Sequence, residues 1–194
     1  MTTSPIDPNR VLLTGENPYI RLSETDNGPV TTDASFWRIL FSPGGPGHVL
    51  FLQSELTDNQ PRIYTDNIAM TRWLQKEIQG TINPTFGNLE LAEVESSFAS
   101  SGDLRTSWTE TVTAKNEIIA LTWESLGESF LSHSFPGSNP DRPHGVSTVL
   151  IPANAAKVII NGKTASGRPF PRQRDSREHS TCDLAFSESW LLPY

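Results

Sequence analysis

A chain of 194 residues is long enough for one domain with a substantial core. Its net charge of −7, from 22 acidic and 15 basic residues, disfavours nucleic acid and anionic membranes as partners, because both call for basic stripes. The one cysteine, Cys182, excludes an internal disulfide and a cysteine-based zinc site.

The opening stretch MTTSPIDPNRVLLTGENPYI lacks the charged start and long apolar core of a secretory leader, so a cytoplasmic protein is expected. Residues 1–34 are rich in Thr, Pro, Asn and Asp and read as an extended N-terminal arm with one short strand at 11–14. The stretches SFWRILF (35–41) and HVLFLQS (48–54) read as strands of a hairpin joined across SPGGPG. Next comes DNIAMTRWLQKEIQG, where Ala69, Trp73, Leu74 and Ile78 recur at helical spacing. This predicts one helix at about 67–79, capped by Asp66 or Asn67 and closed by a left-handed Gly80.

From Leu89 onward the pattern changes to period two. LELAEVESSF, RTSWTETV, EIIALTWESL, ESFLSHSF, GVSTVLI, KVIIN, KTAS and TCDLAFSESW all read as strands. The absence of helices between them argues against parallel units. The fold class is therefore all-β, mainly antiparallel: residues 35–194 form a single-domain β-barrel or β-sandwich with one α-helix.

Two turns fix registers. Asn161-Gly162 suits a tight hairpin and pairs Ile160 with Lys163. A two-residue turn at Lys115-Asn116 sets Val112 opposite Ile119, Glu110 opposite Leu121 and Trp108 opposite Trp123. One face of that hairpin is then apolar except for Glu110. A carboxylate in such a row raises its pKa or finds a cation, which is one way to make a general acid or base. His133 shares parity with Leu121 and Trp123 when the strand runs without a bulge, and Gly127 is where a bulge would enter. Glu188 also stands in an apolar row, Cys182-Leu184-Phe186-Glu188-Trp190, near a sheet end where water reaches it.

The expected function is a small cofactor-independent enzyme moving a proton on a small organic substrate inside a barrel cavity: a lyase, isomerase or hydratase. Glu110 and His133 are its acid/base pair. Trp108 and Trp123 supply the apolar wall, while Arg142, His144, Arg168 and Arg172 contact the substrate. His133 and His144 flank the loop SHSFPGSNPDRPHG and are the alternative ligands of a divalent metal, although no H-x-H or HExxH spacing supports them. A non-catalytic binder of an apolar or aromatic molecule and an accessory subunit of a larger enzyme are the other readings. Partners are then a small-molecule ligand or substrate and, as an assembly, a homodimer; nucleic acid and membrane are not expected.

Overall fold

The structure, a computed structural model, describes residues 10–140, 142–174 and 176–193. Its strands are β1 (Val11–Glu16), β2 (Tyr19–Ser23), β3 (Val30–Phe41), β4 (Gly47–Ser54), β5 (Arg62–Thr65), β6 (Glu93–Gly102) and β7 (Ser107–Ala114). They continue with β8 (Ile118–Leu126), β9 (Phe130–Ser134), β10 (Gly145–Ile160), β11 (Lys163–Thr164), β12 (Pro171–Arg174), β13 (Arg177–Ser180) and β14 (Asp183–Leu191). Nine of them close a barrel in the order β1-β14-β10-β8-β7-β6-β5-β4-β3, with β3 returning to β1. Closure removes the exposed edges that an open sheet of this size would present.

The barrel is largely antiparallel, as the period-two pattern predicts. The exception is β5 beside β6, a parallel pair with Ile63 opposite Glu93. A parallel neighbour cannot be reached by a tight turn, and here the helix supplies the crossover. The expectation that no helix joins parallel strands fails at this one junction.

The residues read as an arm are also corrected from Val11 onward; residues 1–9 lie outside the described residues. β1 closes the barrel between β14 and β3, and β2 lies along β3. Leu13, Ile20 and Leu22 are buried and Leu12 packs against the core, so a few apolar side chains hold two strands otherwise rich in polar residues. Strands expected at 145–151 and 157–161 are one 16-residue strand, β10. Pro152 interrupts the apolar pattern but not the strand. It has no N–H to offer, and its carbonyl accepts from Gly127 N at 2.7 Å.

β3 and β4 are buried on both faces. Phe36, Leu50 and Leu52 fill the barrel, whereas Trp37, Val49 and Phe51 lie under the helix. This explains why SFWRILF does not alternate. The helix spans 68–82: α-helical over Ile68–Leu74, loosened to a π turn over Gln75–Gln79, and α-helical again over Gly80–Ile82. Asn67 caps it, its Oδ1 accepting from Met70 N at 3.1 Å. Met70, Leu74 and Ile78 face the barrel, and Gln79 Oε1 accepts from Trp37 Nε1 at 2.8 Å. Gly80 does not end the helix; its φ is −63°. It is needed for a close approach, because a Cβ there would sit 3.1 Å from Gly87 Cα and 2.9 Å from Gln75 O. Among the described residues no helix is long and apolar enough to cross a membrane.

Both hairpin registers agree with the sequence reading. Ile160 pairs with Lys163 across Asn161 (φ 49°) and Gly162 (φ 80°). A Cβ on Gly162 would meet nothing within 4 Å, so only backbone strain opposes a side chain. Gly162→Val is therefore expected to lower stability by about 1 kcal/mol. Urea melts of both proteins check this, and coincident midpoints would contradict the strain.

Candidate functional site

The hairpin of β7 and β8 places Glu110 opposite Leu121, Val112 opposite Ile119 and Trp108 opposite Trp123. Glu110 is fully buried at the β3–β7 end of the interior. Arg38 Nη2 donates to both of its oxygens, at 2.9 and 3.2 Å, and Trp108 Nε1 donates to Oε1 at 2.8 Å. Arg38 also reaches Glu16 at 2.5 Å. Burial pushes the Glu110 carboxyl up, and the hydrogen bond from Trp108 and the charge of Arg38 pull it back. Every polar bond here is internal to the protein.

Apolar side chains pack in the same interior. Trp123 is fully buried among Phe36, Leu121, Val112 and Leu184, and its Nε1 donates to Tyr19 O at 3.0 Å. Trp108 packs edge-on against Phe186 at 6.0 Å. The two tryptophans are thus core side chains rather than the wall of a chamber.

His133 does not join Glu110. The β8–β9 segment has left-handed Ser125, and its register against β10 shifts by one residue between Leu126 and Phe130. β7 ends opposite Glu124, so β9 continues along β10 with no strand on its other side among the described residues. His133 is therefore exposed, its ring edge-on to Phe135 at 4.6 Å. His144 is half-buried against Trp190, at 5.8 Å between rings, and burial lowers its pKa. Among the described residues no group of three or more His, Cys, Asp and Glu side chains gathers, so the alternative His133–His144 site has no third protein ligand there. Arg168 lies over the Phe170 ring at 4.7 Å, and Arg172 pairs with Asp26 at 2.8 Å.

A second place gathers ionisable groups: the outer face of β2, β10 and β14. The cause is a bulge. Ser187 is left-handed (φ 53°), and the β10–β14 register shifts between Ser147 and Val149. Phe186 therefore packs with the interior, whereas Glu188 and Trp190 turn to the outside. There residues of the β12–β13 hairpin and Ile82 join them in lining a partly open cleft of ≈ 380 Å³. Its floor is Val146, Thr148, Leu150, Ala185, Glu188 and Trp190; Arg142, Arg172, Arg174 and His179 come from the covering loops.

Two polar clusters lie in it. Asp183 Oδ2 accepts from the Tyr19 hydroxyl at 2.5 Å and from His179 Nδ1 at 3.0 Å, and its Oδ1 accepts from Ser180 N at 2.9 Å. Burial and Asp183 raise the Tyr19 pKa well above the usual phenol value, so this hydroxyl stays protonated. The other cluster is Glu188, which is 5% exposed. Its Oε1 accepts from Trp190 Nε1 at 2.6 Å. Burial lifts its carboxyl to about 7, and Trp190, Thr148, Arg142 and Arg174 only partly oppose the rise.

That shift has a sign in stability. The folded state holds a proton that the unfolded chain releases at the ordinary value of 4.5. The stabilisation is complete below that value and is lost as pH rises toward and through about 7. His144 titrates in the opposite sense, so wild type should be compared with Glu188→Gln. The difference between their unfolding free energies is expected to drift with pH across this window and to flatten above it; a pH-independent difference would contradict the shift.

The cleft contains the expected substrate residues Arg142 and Arg172 but neither Glu110 nor His133. Tyr19, Asp183, His179 and Arg174 were not selected from the sequence. The usable signals were the basic cluster RPFPRQR and the His179–Asp183 spacing across a tight turn. The chain matches no family model, no curated protein and no solved structure.

Proposed function

We propose that the protein is a small acid–base enzyme that moves a proton on a small organic substrate held in the cleft between the outer barrel face and the β12–β13 hairpin. Glu188 is the proton donor and acceptor in this reading. One observation carries it: a buried carboxyl lines a cleft and, among the described residues, has no ion-pair partner at hydrogen-bond distance. Glu110, by contrast, has its charge met by Arg38.

A carboxyl titrating near the working pH exists in both forms and exchanges protons with little penalty in either direction. The indole N–H of Trp190 fixes its orientation. Tyr19 and His179, held on Asp183, also line the cleft, where the hydroxyl and imidazole orient the substrate. Proton transfer of this kind needs no cofactor, and the reaction class is an isomerase, lyase or hydratase step.

The experiment is incubation in D2O with a panel of small ketones, hydroxy acids and enoates, following loss of C–H signals by NMR. Exchange by wild type that Glu188→Gln lacks supports the reading. Exchange unchanged by Glu188→Gln, or abolished instead by loss of the exposed His133, would overturn it.

A further inference from the structure

We infer that the cleft takes a small organic acid, its carboxylate seated on Arg142 and Arg174 and its apolar body lying against Trp190, Val146 and Leu150. This rests on the reading of the cleft as the substrate site and names the class of substrate.

Arg142 carries the argument. Its guanidinium lies over the Trp190 ring, 5.5 Å from the centroid, and is half-buried. Its Nη2 donates to Ser134 Oγ at 3.5 Å, and its Nε is buried with no partner among the described residues. Burial lowers its pKa, as expected for a cation whose charge is not locally met. A buried donor without an acceptor is uncommon and costly, and a ligand oxygen is the ordinary remedy at a binding site. The planar fork of arginine matches the two oxygens of a carboxylate.

The neighbours are consistent with this. Other arginines of the region are already paired: Arg172 with Asp26 at 2.8 Å and Arg21 with Asp33 at 3.4 Å. Arg174 lines the cleft and, like Arg142, has no ion pair with a described carboxylate. Asp183 is saturated by Tyr19, His179 and Ser180, so it does not compete for the arginines. The cleft is thus a cationic spot on a chain of net charge −7.

The same lining limits the ligand. Two guanidinium groups without a described carboxylate partner, in a lining that also holds Glu188, suit one negative charge better than the two of a phosphate. Val146, Leu150, Ala185 and Trp190 give the rest of the molecule an apolar surface. A volume of ≈ 380 Å³ is near the low end for ligand sites, which calls for a small molecule.

The test uses benzoate, benzamide and inorganic phosphate as probes on the full chain, reading the indole N–H resonance of Trp190 by NMR, assigned with Trp190→Phe. Benzoate is expected to shift it saturably and to bind at least about tenfold more tightly than benzamide, the gain of one charge-assisted hydrogen bond. Arg142→Gln should remove that preference, and Arg174→Gln, at an exposed position, should weaken benzoate binding without loss of fold. Equal binding of benzoate and benzamide, a preference that survives Arg142→Gln, tighter binding of phosphate, or no saturable shift with benzoate would each overturn the assignment. Glu188→Gln separates the two claims. Retained benzoate binding with lost proton exchange supports both. Exchange that persists in Glu188→Gln sinks the catalytic reading while the carboxylate preference stands on its own measurement.

Discussion

Replacing Arg38 by Met is expected to destabilise the protein by about 3–5 kcal/mol at pH 8, the cost of leaving a buried charge without its partner. Arg38 supplies both hydrogen bonds that Glu110 receives from a cation, and the fully buried carboxylate is left with the Trp108 indole alone. Met keeps the length and apolar stem, so lost packing contributes little. The loss should shrink in acid, because an unpaired Glu110 takes up a proton in the fold. A carboxyl raised in the folded state contributes stability at low pH that disappears as pH rises through its folded pKa. Urea unfolding at pH 4.5 and 8 reads both effects. The double variant Arg38→Met with Glu110→Gln should recover part of the loss, since it removes the stranded charge. A melting midpoint for Arg38→Met equal to wild type at pH 8 would contradict the structural role of the pair.

Glu188→Gln is expected to slow proton exchange on a substrate by about two to four orders of magnitude, the usual contribution of a positioned acid or base. The amide has nearly the same shape and still accepts a hydrogen bond from Trp190, so the cleft is preserved. It cannot give or take the proton. Folding should survive, because a neutral amide replaces a carboxyl that is itself largely neutral below about pH 7. Loss of stability with turnover per folded molecule intact would instead mark Glu188 as a structural group.

The two buried carboxylates show what could be read from the sequence. Glu110 stood in an apolar row beside a two-residue turn, and that short turn left one register open, so its burial followed from local pattern. Its partner did not. Arg38 is 72 residues away on β3, and nothing local pairs the two. Glu188 also stood in an apolar row and was expected where water reaches it; it is instead buried, and on the opposite face from the one its parity assigned. The single left-handed Ser187 reverses the row, and serine carries no strong signal for that conformation. His133 failed for a related reason: β7 stops before β9, and strand length is set by tertiary pairing rather than by alternation.

The strands from 89 onward, the helix and both hairpin turns were legible because each depends on residues close in sequence, whereas closure of the barrel was not, since β1 pairs with β14 at the far end of the chain. The cleft was not, since it joins β2, the 134–145 loop, the β12–β13 hairpin and β14. Arg168 and Arg172 were expected at the substrate, but the arginines of this stretch alone do not reveal what they cover: Arg172 lines the cleft and Arg168 lies over Phe170. Cys182, the one thiol, is buried and pushed up to about 12, which leaves it inert packing rather than a nucleophile.

The most direct test of the central claim is the titration of the Glu188 side-chain carboxyl by carbon NMR in protein labelled at glutamate, assigned with Glu188→Gln. The cleft geometry predicts a midpoint of about 7. A midpoint at the ordinary carboxyl value, 4.5, would mean that water reaches the group, and Glu188 would then not be the acid–base centre.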